Sequence, residues 1–190
     1  SRKQYVISSI KGEYVAVTQT GHPDQRLVAL VDGYKRQLED RMGIIIGQAA
    51  QNMPYSKPES LLTNFTSDAM KLLDTKYTEG LPVDITLMNV NGHRAPLAKG
   101  NITVGDIYST YSFENELVVV RLKGTDLNEL FNDYARMDGA GISGNVRLQI
   151  KDSKIVSATV DGKPVDKDKI YTIVTLDYLA EGNDGMNALK

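Results

Sequence analysis

Apolar residues recur at two different periods along this chain, and the two never settle into a strict alternation. Spacing of three to four residues marks helices, and spacing of two marks strands with one buried face. Leu27, Leu30, Val31, Tyr34 and Leu38 fall on one helical face, predicting a helix from near Pro23 to about Arg41. Asp24, Arg26, Lys35, Arg36 and Glu39 form its charged, solvated side. A second helix is predicted over Ser60–Leu73, with Leu62, Phe65, Ala69, Leu72 and Leu73 as its apolar stripe. A third should be capped by Thr125 and bury Leu127, Leu130, Phe131 and Tyr134.

Strand patterns are equally frequent. Tyr5–Ile10 and Glu13–Thr18 flank Lys11-Gly12 and predict a hairpin. Ile44–Ile46, between Gly43 and Gly47, predicts a short buried strand. Val83, Ile85 and Leu87 alternate with Asp84 and Thr86, and Leu117–Leu122 forms another run. Val146, Leu148 and Ile150 alternate, followed by Ile155–Val160 and Ile170–Thr175 around the turn-rich 161–164. Thr103 and Asp106 have the spacing of a capping box. Asn89–Gly100, polar and glycine-containing, predicts a functional loop at a strand end. Helices and strands mixed in this order imply an α+β or mixed-sheet α/β fold, not an all-α or all-β one.

Composition narrows the function. Cysteine is absent, which excludes disulfides, zinc ribbons and thiol catalysis. The net charge of −2 provides no basic stripe for a nucleic-acid polymer. No apolar run approaches a bilayer span, and Ser1–Ile10 lack the apolar core of a signal peptide. Histidine occurs only at positions 22 and 93.

Four ordered segments carry a more specific signal. Glu59, Asn64 and Asp68-Ala69-Met70 have the spacing E-x-x-x-x-N-x-x-x-D-A-M. Asn89-Val90-Asn91-Gly92-His93-Arg94 is similar to N-G-G-G-I-R, and Ser112-Phe113-Glu114-Asn115 to P-F-G-N. Tyr178-Leu179-Ala180-Glu181-Gly182-Asn183-Asp184-Gly185 is similar to an ending with an aromatic residue and L-A-x-G-G-D-G. Together they resemble the C-terminal domain of the 5′-nucleotidases, a family that includes bacterial periplasmic UDP-sugar hydrolases and animal ecto-5′-nucleotidase. The resemblance assigns residues 43–190 to that domain; within 1–42 the helix from Pro23 resembles the family's linker helix, and the hairpin before it has no counterpart assigned.

The resemblance implies a nucleoside or nucleotide ligand. It places the two rings that sandwich the base at Phe113 and Tyr178, and the sugar-binding carboxylate at Asp184. Asn89 and Asn115 match amides of the base and sugar pocket, and Arg94 matches an arginine that meets phosphate. These residue types suit the task. Aromatic faces stack on any base, a carboxylate accepts from paired hydroxyls, amides both donate and accept, and guanidinium forks fit oxyanions. Blander roles stand beside these: Phe113 as core, Asp184 as a backbone-bonding turn residue, Arg94 as a solvated charge, and His93 as packing. Asn64 and Asp68 are read as tying their helix to a neighbouring loop, and Tyr5, Tyr14, Tyr108 and Tyr111 as packing.

Departures from the family pattern matter too. Val90 and Asn91 replace glycines, His93 an isoleucine, and Glu114 a glycine, each adding bulk or charge near the loop. Asn183 replaces the glycine before Asp184. An arginine that the family often carries just before the Glu59 position is unmatched; Ser56, Lys57 and Pro58 stand there.

Hydrolysis in the family needs two divalent metals held by Asp, His and Asn ligands. Two distant histidines cannot supply that set, so no cofactor and no catalytic residue is expected within this chain. Asp84, Asp106 and Asp184 do not group by spacing into a carboxylate-only hydrolytic site. The expectation is a substrate-recognition domain of a phosphoesterase, working with a metallophosphoesterase domain or a separate protein that supplies one. The alternative is a non-catalytic interaction module that kept the fold and lost the ligand. Family habit implies export to the periplasm or cell surface.

Overall fold

The structure, a computed structural model, describes residues 7–16, 23–73 and 75–190. It divides into two compact units, Ser1–Glu39 and Asp40–Lys190. In the first, residues 7–16 carry no strand, so the described part of the expected hairpin is irregular; its remainder lies outside the described residues. A lone two-stranded hairpin is marginal in water without a sheet or helix to pack on.

Helix α1 spans Gln25–Met42. Asp24 caps it by accepting from the Arg26 amide at 2.9 Å, which puts Pro23 before the cap and outside the first turn. The helix buries none of its residues. Leu27, Leu30, Val31, Tyr34 and Leu38 are all exposed.

In the second unit, β1 (Ile45–Ala49) is not the buried strand its isoleucines suggest: Ile44, Ile45 and Ile46 are each more than half exposed. Among the described residues it pairs with β3 alone; β1 itself stays exposed up to Ala49, while Ile102 of β3 packs with Leu62 and Leu97. Helix α2 (Leu61–Met70) starts at Ser60, whose hydroxyl caps the Thr63 amide. Strand β2 (Ile85–Met88) is buried at every position, so its alternating sequence does not produce alternating exposure. Strand β3 (Gly100–Thr103) leads into α3 (Val104–Thr110). The expected Thr103–Asp106 capping box forms there, and its bonds hold the Asp106 carboxyl below its ordinary pKa.

Strand β4 (Leu117–Lys123) precedes α4 (Gly124–Arg136). Lys123, not Thr125, occupies the N-cap of α4, and no side chain caps it. Strands β5 (Gly141–Ile142), β6 (Val146–Lys151), β7 (Lys154–Val160), β8 (Lys163–Pro164) and β9 (Ile170–Leu176) follow. The central sheet has the order β4-β9-β2-β5, and β6-β7-β8 form a separate three-stranded sheet.

The main core joins Ile85 and Leu87 of β2, Ile173 and Val174 of β9, and Leu127, Leu130 and Phe131 of α4. The buried face of α2 differs from the expected stripe. It consists of Leu62, Thr63, Thr66, Ser67 and Met70, while Phe65 is 52% and Leu72 86% exposed. Close packing decides this. A Cβ on Gly141 would lie 2.7 Å from Ser67 Oγ and 3.0 Å from the Thr63 carbonyl, so α2 meets β5 through small residues. The Thr63 hydroxyl is satisfied by the Ser60 carbonyl at 3.0 Å, which makes its burial tolerable. Asp68 accepts from the Gly144 amide at 2.7 Å, tying the helix to that loop as expected. Asn64 instead donates to Glu59, at 2.7 Å.

Candidate functional site

Sheet register brings distant segments to one edge. Leu117, the start of β4, pairs with Leu176, the end of β9. Strand β2 runs parallel to β9, with Ile85 opposite Ile173 and Thr86 opposite Val174, so it ends at the same edge. Asp177 extends the ladder by donating its amide to the Glu116 carbonyl at 2.9 Å. The turn before β4, the loop after β2 and the segment after β9 therefore emerge together. In sheets with parallel strands, the carboxyl edge is the usual place for a ligand crevice.

Three predicted site residues meet there through hydrogen bonds. Asn89, buried at the end of β2, donates from Nδ2 to Asp184 Oδ2 at 2.7 Å. The Tyr178 hydroxyl donates to Asp184 Oδ1 at 3.0 Å. This bond to a carboxylate raises the Tyr178 phenol above its ordinary pKa. Asp184 adopts a left-handed φ of 51°, which aspartate accepts more readily than most residues. Asn183 fixes the turn by donating to the Tyr178 carbonyl at 2.8 Å. Just beyond it, Met186 and Leu189 are buried in the main core, and the Ala188 amide donates to Asp133 at 2.8 Å. Asp184 thus sits on a segment anchored on both sides.

Phe113 and Arg94 form a second group. The Arg94 guanidinium carbon lies 5.6 Å from the Phe113 ring centroid, a cation–π distance. The Arg94 amide donates to the Thr110 carbonyl at 2.9 Å. Phe113 is 53% exposed, so it is not a core residue. Asn115 is exposed two residues further along the same turn. Phe113 and Tyr178, both exposed, stand at the same sheet edge; the ring partner of Phe113 is Arg94, not Tyr178.

A cavity of about 140 Å³ opens beside Asp184, lined also by Lys57, Asn89, Val90, Asn91, Met137 and Gly139. Asn89 Oδ1, buried, faces no donor. Lys57 is the residue that sequence reasoning passed over. It stands just before Glu59, where the arginine was missed, and its ammonium donates to the Met137 carbonyl at the cavity wall. A larger cleft of about 680 Å³ is lined by Glu59, Asp68, Asp138, Arg147 and others, and contains none of the six predicted residues. Two of the six, Asn89 and Asp184, line the smaller one.

His93 does not crowd the loop. It is 1% exposed, and its ring turns inward between Tyr55 and Tyr111. Nδ1 lies 3.2 Å from the Val90 carbonyl, which can only accept, so Nδ1 carries the proton of the neutral ring. Nε2 lies 2.8 Å from the Thr66 hydroxyl, which also reaches the Leu62 carbonyl at 2.8 Å. Burial lowers the His93 pKa below 6.5. Tyr111 donates to Thr66 Oγ1 at 2.6 Å and is a packing residue as expected. Tyr108 and Tyr14 are exposed and pack on nothing comparable, and Tyr5 lies outside the described residues.

Among the described residues no three His, Cys, Asp or Glu side chains cluster as ligands, and both ring nitrogens of His93 are engaged internally. His22 lies outside the described residues.

Comparison with known proteins agrees with this architecture. Residues 45–190 match the model of the family described as "5'-nucleotidase, C-terminal domain". The NAD 5'-nucleotidase of Haemophilus influenzae is 30% identical over 85% of this chain, and the chain spans 31% of that protein. An endonuclease of Bacillus subtilis is 31% identical over 88% of the chain, which spans 14% of it. The crystal structure of a 5'-nucleotidase precursor from Thermus thermophilus superposes with a TM-score of 0.70 at 26% identity, covering 87% of this chain and 36% of that one. On the family match over residues 45–190, supported by these relatives, the chain belongs to the 5′-nucleotidase C-terminal domain family.

Proposed function

We propose that this domain recognises a nucleoside or nucleotide and presents it to a phosphoesterase domain, in the same polypeptide or in a separate protein. Divalent metals would belong to that partner. The observation that carries the reading is the cavity at Asp184. The Asp184 carboxylate and the Asn89 side chain line the same small space, and the exposed Tyr178 is bonded to that carboxylate from the other side. Sugar hydroxyls are donors for the carboxylate, and the base finds aromatic faces at Phe113 and Tyr178. Lys57 and Arg94 are the cations available to a phosphate. Asn115 is positioned for a base edge.

Calorimetry on the full chain with adenosine, AMP and NAD tests this; NAD joins the panel because a relative is named for it. Binding of at least one is expected. Phe113→Ala should weaken it by at least about tenfold, given base–aromatic stacking of roughly 1–3 kcal/mol. Heat-silent titrations with all three ligands would leave the interaction-module reading in its place. By resemblance, the domain acts outside the cytoplasm. No helix among the described residues is long and apolar enough to cross a membrane. Fractionation that finds the native protein only in cytosol would refute export.

A further inference from the structure

The two oxygens of Asp184 are held in different ways. Oδ2 is bonded from the interior, by Asn89, which is only 6% exposed. Oδ1 is bonded from the rim, by the phenol of Tyr178, a residue 41% exposed. A ligand arriving from solvent meets the rim oxygen first, and finds it occupied by a side chain of the protein itself.

The carboxylate has little freedom to turn away. Its backbone is fixed in the left-handed region, Asn183 staples the turn to the Tyr178 carbonyl, and Asn89 grips the inner oxygen. The Tyr178 ring is held from the outside by this single side-chain bond. When something must yield, the phenol yields.

We infer that the Tyr178 hydroxyl is an internal competitor of the ligand's sugar for Asp184, occupying the rim oxygen until a ribose diol displaces it. The inference rests on the proposed nucleoside site and adds a specific device to it. Stacking needs only the aromatic face, so phenylalanine at 178 would provide the ring without the competitor. The hydroxyl lowers affinity selectively for ligands that use Asp184. It also re-forms its bond as the sugar leaves, so its effect falls on the dissociation rate. A sugar without 2′ and 3′ hydroxyls gains nothing from Asp184 and does not contend with the phenol.

The test is calorimetry on the full chain, wild type, Tyr178→Phe and Asp184→Asn, with adenosine and 2′,3′-dideoxyadenosine. Melting temperatures establish that each variant is folded. Tyr178→Phe is expected to bind adenosine roughly tenfold more tightly, as for release from one bond to a charged group, with dideoxyadenosine changed by less than about twofold. Asp184→Asn should weaken adenosine in the wild-type background. Equal gains for both nucleosides would assign the effect to the ring and overturn the inference. So would unchanged or weaker adenosine binding by Tyr178→Phe while Asp184→Asn still loses it; that result leaves the nucleoside site standing. Absence of binding by wild type and Tyr178→Phe to either compound sinks the nucleoside site and the competitor with it.

Discussion

Asn89 can hold Asp184 because Gly92 makes room for it. A Cβ at Gly92 would lie 2.4 Å from Asn89 Oδ1 and 2.6 Å from Met88 Cε. Both obstacles are the ends of flexible side chains, so the fold can absorb a methyl there by moving them. The displaced Asn89 would lose its bond to Asp184. Gly92→Ala is therefore expected to cost only about 1 kcal/mol of stability while weakening any nucleoside ligand at least fivefold or so. Paired melting and calorimetry measure this; a large fall in melting temperature with unchanged affinity would contradict it. At this scale the motifs name six candidate residues, and the structure joins three of them, Asn89, Tyr178 and Asp184, through bonds. Lys57 was not legible, because its relation to Asp184 depends on a loop that returns from elsewhere in the chain.

The elements show where periodicity misleads. In α2 the largest apolar residue, Phe65, faces out, while three hydroxyls face in beside Leu62 and Met70. Local spacing measures hydrophobicity, while the contact with β5 selects for smallness. The same helix supports the inward ring of His93, through Thr66. Because burial lowers the His93 pKa below 6.5, the unfolded chain takes up a proton that the folded one resists. The stability from neutral His93 is fully present above pH 6.5 and is lost as pH falls from there through the lower folded value. The groups around it, Thr66, Tyr55 and Tyr111, include no carboxylate to offset the charge. His93→Gln should flatten the decline in melting temperature between about pH 7 and pH 5. Parallel profiles for the two proteins would assign the acid limb to other groups.

Among the described residues, both hydrophobic clusters are built from residues after position 48, and α1 buries none of its own. A chain beginning at Asp40 should thus fold with a melting temperature within about 3 °C of the full chain's. A drop of ten degrees or so would mean that residues 1–39 contribute to the core. The chain spans about a third of the 5′-nucleotidases it matches, and a seventh of the endonuclease. Relatives with different names carry the same domain, as expected where function lies in sites grafted on a fold.

Sequence alone determined the mixed fold class, the long first helix, the Thr103–Asp106 cap, the strands at 117, 146 and 170, and the family motifs. Each depends on residues close together in the chain, whose spacing carries the information. Tertiary structure decided which faces are buried, left β1 open, and turned His93 inward. It also brought Lys57 to Asp184 and closed Tyr178 onto the same carboxylate. These follow from close packing and sheet register, which depend on partners far away in sequence, and no local pattern encodes a partner's position.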